Sequence, residues 1–157
     1  VWEDFAQRLD EVLASFIKVY KPAYFERIGL RYINAFSRKA LGLEDTPFAE
    51  LIEPGYLGLM GDEDVNERAF ARITQEAELS LPGGCKLKLH CGPGMIKRNN
   101  VEDKEVRFIL DNDVFMPGKV EMKHSAGALT TVHTHADRAF RGAITDALHQ
   151  AMEPQPL

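Results

Sequence analysis

The chain reads as an α+β fold: an antiparallel sheet of about four to five strands packed against two long terminal helices. Three observations predict it. Residues 2–20 and 129–152 repeat apolar side chains at helical period, residues 24–36 and 105–115 alternate with period two, and Pro82-Gly83-Gly84 separates two further alternating runs. Strands joined by a hairpin, without regular strand–helix–strand alternation or an internal repeat, argue against a doubly wound parallel sheet. The same pattern also suits a strongly curved sheet gripping the C-terminal helix, with a cavity between them.

The N-terminal helix comes first in the chain. Trp2, Phe5, Leu9, Val12, Leu13, Phe16, Ile17 and Tyr20 fall within an arc of roughly 120° at 3.6 residues per turn, with Glu3, Asp4, Gln7, Glu11 and Lys18 opposite. Its acidic residues come early and Lys18 and Lys21 late, matching the macrodipole, and Pro22 ends it. Residues 24–36 then place Ile28, Leu30 and Tyr32 on one strand face and Arg27, Gly29 and Arg31 on the other. Thr46 as N-cap with Pro47 at the first helical position opens a short helix that Pro54-Gly55 stops, and residues 56–60 add a turn.

A three-residue loop at Pro82-Gly83-Gly84 keeps both apolar sets on one face. It sets Leu81 opposite Cys85, Leu79 opposite Leu87 and Ala77 opposite Leu89. The outer face of this hairpin then pairs Glu78 with Lys88 and Glu76 with His90. Gly92-Pro93-Gly94 is expected to break it, residues 98–104 to form an exposed turn, and residues 105–115 the next strand, ended by Met116-Pro117-Gly118. Leu129, Val132, Ala136, Phe140, Ala143, Ile144 and Ala147 share one helical arc, predicting a second long helix up to Met152, before Pro154.

Length and composition bound the rest. With 157 residues, 45% of them hydrophobic, residues 1–157 suffice for one domain with a substantial core. The helical pattern is already running at Trp2, so this stretch is expected to be the C-terminal, larger part of a longer chain. A net charge of -5 and a pI near 5.5 give no general attraction to phosphate backbones, and no aromatic residues interleave with Lys86, Lys88, Lys97 and Arg98; no nucleic-acid partner is expected. No apolar run reaches the roughly 20 residues that span a bilayer, so no membrane partner is expected and the chain is placed in the cytoplasm. Cys85 and Cys91, on one strand and about 20 Å apart if extended, are too distant for a disulfide and read as reduced, buried fillers.

Three blocks carry a resemblance: Phe25-Glu26-Arg27-Ile28-Gly29-Leu30-Arg31-Tyr32-Ile33-Asn34, then Phe108-Ile109-Leu110-Asp111-Asn112-Asp113-Val114-Phe115, then His133 with Phe140 and Ala143-Ile144-Thr145. Together they resemble a sporadically distributed family of uncharacterised bacterial proteins. The resemblance implies a bacterial origin and an additional N-terminal segment, beginning with a strand, that this chain lacks and that would add to the sheet edge. It implies no activity, substrate or cofactor.

No run of residues sets a nucleophile beside its base, closes a set of metal ligands or builds a phosphate-cradling glycine loop; no catalytic residue, metal or cofactor is assigned. Five residues are candidates for binding. Arg27 and Arg31 share a strand face about 13 Å apart with Gly29 between, a groove for a carboxylate or phosphate unless both arginines pair with acidic neighbours and Gly29 makes room for a large cross-strand residue. Asp111 and Asp113 share a strand face near 7 Å apart. They suit a hard cation such as Mg²⁺, or acid and base roles, unless they are the partners those arginines need. His133 lies at the centre of the apolar arc of its helix, where an imidazole needs a hydrogen-bond partner; His135 points about 200° away and cannot join it on one ion.

The reading is therefore a non-catalytic binding or interaction module that engages a protein or a small anionic ligand through a charged sheet face. Its alternatives are a small metal-assisted hydrolase acting on an anionic substrate, and a small-ligand site in a cavity between sheet and helix.

Overall fold

The structure, a computed structural model, describes residues 2–98 and 101–152. It is an α+β fold built on an antiparallel sheet. Helix α1 (Trp2–Tyr20) leads through Lys21-Pro22-Ala23 into strand β1 (Tyr24–Phe36), the element predicted from its period of two. A long excursion follows, with short helix α2 (Phe48–Leu51) and single 3-10 turns at Pro54–Tyr56, Gly58–Gly61 and Glu67–Ala69. Then come β2 (Gln75–Ser80), β3 (Lys86–Gly94), the two-residue strands β4 (Lys97–Arg98) and β5 (Val101–Glu102), β6 (Arg107–Glu121), α3 (Ser125–Arg141) and α4 (Asp146–Met152). Among the described residues the main sheet has four strands in the order β1-β6-β3-β2, all antiparallel. The expected turn tip at Asn99-Asn100 and the helix stop at Pro154 lie outside those residues.

The hairpin forms in the register its apolar pattern dictates. Leu79 faces Leu87, Ala77 faces Leu89, Glu78 faces Lys88 and Glu76 faces His90. The Leu81 amide donates to the Cys85 carbonyl at 2.8 Å across a turn in which Gly83 and Gly84 both take positive φ, +73° and +76°, the region glycine enters without steric cost.

The inner face of the sheet carries two apolar clusters. In one, Leu30, Cys85, Leu87 and Val114 pack against Val132 and Ala136 of α3. In the other, Phe36, Cys91, Phe108 and Leu110 meet Phe48, Leu51, Ile52, Leu57 and Met60 of the excursion, and Ala143, Ile144 and Leu148 near the end of the chain. Helix α3 lies against β6 and β1. The outer face alternates with this one and carries the charges, as one-sided antiparallel sheets do.

Several boundaries differ from expectation, each for a tertiary reason. The second long helix is interrupted: α3 stops at Arg141, residues 142–145 leave the helix, and α4 restarts at Asp146. In the gap Ile144 bridges Ile52, the Glu53 amide donates to the Ala143 carbonyl (3.0 Å), and the Thr145 amide donates to the Leu51 carbonyl (3.1 Å). Backbone groups a helix would satisfy internally are satisfied by the excursion instead.

Met116-Pro117-Gly118 does not end β6. The pairing jumps from Arg27↔Pro117 to Phe25↔Val120, so β6 carries an extra residue there, and Gly118 at φ +85° allows the bulge. Gly92-Pro93-Gly94 ends the β2 pairing at Cys91 yet stays hydrogen-bonded to β6, so β3 runs on to Gly94. The strand expected from residue 105 starts late: β6 begins at Arg107, and Val106 lies before it and is exposed. Helix α2 starts at Phe48, one residue late, and Thr46 does not cap it: Glu67 accepts from the Phe48 amide at 2.8 Å and from Arg38 at 2.7 Å. Helix α1 forms as predicted, but none of its residues is buried, because only one of its flanks faces the rest of the chain.

Candidate functional site

The outer face brings the four predicted charges together. Arg27 donates two hydrogen bonds to Asp113 (2.7 and 2.8 Å), and Arg31 donates two to Asp111 (2.8 and 2.5 Å). In β1–β6 register Arg31 stands opposite Asp113 and Arg27 opposite Pro117, so both arginines lean along the strand to reach their carboxylates. Gly29 explains how. It stands opposite Phe115, and a Cβ on it would come within 2.8 Å of the Phe115 Cβ and 2.9 Å of an Arg27 guanidinium nitrogen. The missing side chain lets the Arg27 guanidinium cross Gly29 and lie 4.4 Å from the centre of the Phe115 ring, a cation–π contact on the way to Asp113.

The face continues across the sheet. Lys86 and Lys88 reach Glu78 at 3.2 and 3.8 Å, and His90 Nδ1 lies 3.1 Å from Glu76. Arg31, Glu76, Glu78, Lys88, His90 and Asp111 line a shallow groove of about 470 Å³. The hydrogen bond from Arg31 holds the Asp111 carboxyl below the ordinary carboxylate range, against the opposing effect of its partial burial. Exposed ion pairs contribute only about 0–1 kcal/mol each. Their larger effect here is to orient four side chains and engage both carboxylates.

The second assembly surrounds His133. Rather than facing the core centre, this histidine is half-buried at the β1 edge of the layer between α3 and the sheet. Its ring stacks on Trp2 at 3.7 Å between centroids and 5° between planes, and its Nδ1 shares a 3.3 Å hydrogen bond with the Tyr32 hydroxyl. Trp2 and Phe5 from α1, Leu30, Tyr32 and Asn34 from the inner face of β1, and His133, Ala136, Asp137 and Phe140 from α3 enclose a cleft of about 530 Å³. Its lining is mostly apolar, with the phenol, the Asn34 amide, the imidazole and the Asp137 carboxylate as polar groups, and Arg31, whose guanidinium pairs with Asp111 on the outer face, also borders it. Burial, and secondarily the Asp137 charge, raise the Tyr32 hydroxyl above its ordinary pKa.

No family model, curated protein or solved structure matches this chain. The site is therefore read from its own geometry. Arg27, Arg31, Asp111 and Asp113 form one patch on the outer face, and His133 stands apart on the inner side.

His133 was legible as unusual because it interrupts an apolar arc, but Trp2, Phe5, Tyr32, Asn34, Asp137 and Phe140 carried no such signal. Trp2 and Phe5 read as ordinary core positions of an amphipathic helix, and only the tertiary fold brings them to α3. His135 turns away from His133, its Nε2 3.0 Å from the Pro82 carbonyl oxygen. Among the described residues no group of three or more His, Cys, Asp or Glu side chains is arranged to hold a metal ion, and no helix is long and apolar enough to cross a membrane. Cys85 and Cys91 are both free and buried, and burial pushes the Cys91 thiol up to about 11, far from the range of a reactive thiolate.

Proposed function

We propose that this protein is a non-catalytic binding module whose cleft around His133 takes a small, flat heteroaromatic molecule, neutral or cationic, with N–H donors on one edge. The observation that carries the reading is the cleft itself: three aromatic side chains, Trp2, Phe5 and Phe140, beside four converging polar groups. Small-molecule sites have this composition, a mostly apolar wall with a few polar groups that fix orientation. Asp137 favours a donor or a positive charge at the rim, and Tyr32 and Asn34 add hydrogen-bonding capacity. Within this proposal the protein works in the cytoplasm, where its two thiols stay reduced.

Trp2 is the only tryptophan in the chain, so its fluorescence reports directly on the cleft. Titration with heteroaromatic probes such as benzimidazole, aminopyridine and adenine is expected to change that emission saturably. The same compounds should raise the unfolding temperature, since a ligand at 100 times its Kd adds about 2.7 kcal/mol. Asp137→Asn and Tyr32→Phe should weaken both responses. Failure of every such probe to move either signal would overturn the cleft reading.

A second reading, a protein or anionic partner on the outer face, is favoured by one observation: the Arg31 side chain is 60% exposed while paired and borders the groove that Lys88 also lines. Lys88→Ala would weaken such a partner and leave the Trp2 response unchanged. A metal-assisted hydrolase draws less support, because a cation at Asp111 and Asp113 would first have to displace Arg31, held to Asp111 through two nitrogens, and Arg27, one nitrogen of which reaches both oxygens of Asp113.

A further inference from the structure

Trp2 both walls the cleft and covers one face of the His133 ring. Ring centroids 3.7 Å apart with planes 5° from parallel are in contact, so no other ring fits between them. The Tyr32 hydroxyl holds the imidazole at Nδ1, 3.3 Å away, so the ring is fixed at its edge while its face is taken. An indole is itself a flat heteroaromatic with one N–H donor. That is the class of molecule assigned to the cleft.

Helix α1, which brings Trp2 there, is lightly attached. None of its residues is buried, and Trp2 is its one residue packed against a core cluster among the described residues. Its other end joins the sheet through Lys21-Pro22-Ala23. Lys21 holds a φ of +47° and is the one described non-glycine residue at positive φ, a conformation that costs any residue with a side chain. Pro22 has no amide to hydrogen-bond. Strain at the end of an element is where a hinge absorbs a change of φ and ψ. The helix is 19 residues long, about 28 Å at 1.5 Å per residue, so a rotation of about 10° at Lys21 moves Trp2 by about 5 Å.

We propose that Trp2 is a built-in competitor for the cleft ligand: α1 is a hinged arm that occupies the His133 face until a heteroaromatic ligand takes the place of the indole and releases it. The inference rests on the cleft reading and adds its regulation. Recognition survives the arm's departure, because Tyr32, Asn34, His133, Asp137 and Phe140 all stand on β1 and α3. Phe5, one turn along α1, leaves with Trp2. The docked arm lowers the apparent affinity by the fraction of chains in which it is raised.

Calorimetric titration of the parent chain and of Trp2→Ala with benzimidazole, aminopyridine and adenine tests this. The variant should bind about tenfold tighter, the factor for an arm raised in about one chain in ten. A residue that only walls the ligand would weaken binding when truncated. Equal or weaker binding by Trp2→Ala overturns the competitor and leaves the cleft reading standing; binding of no probe by either chain overturns both. The unmodified chain gives a second measurement that does not depend on a variant folding. Saturating benzimidazole should shift the Trp2 emission to the red, toward its value in urea, and speed hydrogen exchange at the α1 amides while those of β6 keep their rates. A blue shift, or α1 amides that exchange no faster with ligand bound, would mean that the arm stays down and would overturn the proposal.

Discussion

Gly29 and Asn112 sit in the sheet where a neighbour leaves no room for a side chain and where a buried amide finds no partner among the described residues. Gly29 leaves the space through which Arg27 reaches Asp113 over the Phe115 ring, and the contact on one side is a Cβ that cannot rotate away. Gly29→Ala is therefore expected to lower stability by about 1–3 kcal/mol, the usual cost of overpacking, and to release Arg27; urea unfolding of the variant would measure the first effect. Asn112 sits on the inner face between Leu110 and Val114, opposite Tyr32 and Leu89, at 1% exposure. Neither its amide nitrogen nor its oxygen has a hydrogen-bond partner among the described residues. Burying such a group costs about 1–3 kcal/mol, so Asn112→Leu, of similar volume, should raise the denaturation midpoint. A variant that unfolds more easily would count against that cost.

Among the elements, α2 shows how a short helix depends on a distant side chain. Glu67 receives both the Phe48 amide and the Arg38 guanidinium, which itself stacks 4.0 Å from the Phe48 ring centre and donates to the Thr46 carbonyl at 2.9 Å. Both partners of the Arg38–Glu67 ion pair are mostly shielded from water, with side chains 18% exposed. Glu67→Ala should cost about 1–3 kcal/mol, the range for leaving buried donors unpaired, and should speed hydrogen exchange at the Phe48 amide ahead of those in β6. The interruption between α3 and α4 has a related origin: it exists because residues 51–53 offer backbone partners to residues 143–145, at 3.0–3.1 Å. A helical wheel treats residues 129–152 as continuous because Ala143, Ile144 and Ala147 still fall on the apolar side; Ala143 and Ile144 are apolar for a different reason, closing the second core cluster with Leu148, and Ala147 is exposed.

At the scale of the whole molecule, stability against acid follows from the carboxylates that arginines hold. Asp111 is lowered chiefly by its hydrogen bond from Arg31, and Asp103 chiefly by its hydrogen bond from Arg107. A carboxyl whose folded pKa lies below its unfolded value of about 3.9 contributes stability that is present above that value and is lost as pH falls through the lowered one. The protein should thus keep a flat stability profile from neutral pH to about pH 5 as far as these groups are concerned, then lose stability below about pH 4. Asp111→Asn should make that decline shallower, as measured by denaturant midpoints across the series. A profile with the same acid slope in Asp111→Asn would mean that the Arg31 pair contributes nothing measurable, the common outcome for exposed pairs.

The local pattern was sufficient for much of this architecture. The period of two delimited β1, the odd loop length at Pro82-Gly83-Gly84 determined which hairpin residues face each other, and the parity of Asp111 and Asp113 put both on one face of their strand, while the pairing of β6 with β1 brought that face to Arg27 and Arg31. These features are set by periodicity and turn chemistry, which act over a few residues. The tertiary structure alone decided which arginine pairs with which aspartate, that α2 is capped by Glu67, that the last helix breaks at Gly142, and that Trp2 meets His133 across 131 positions to wall a cleft. It also separated the two apolar faces of α1, which sequence merges into one arc, because only packing determines which side of an amphipathic helix a core uses and which it leaves exposed.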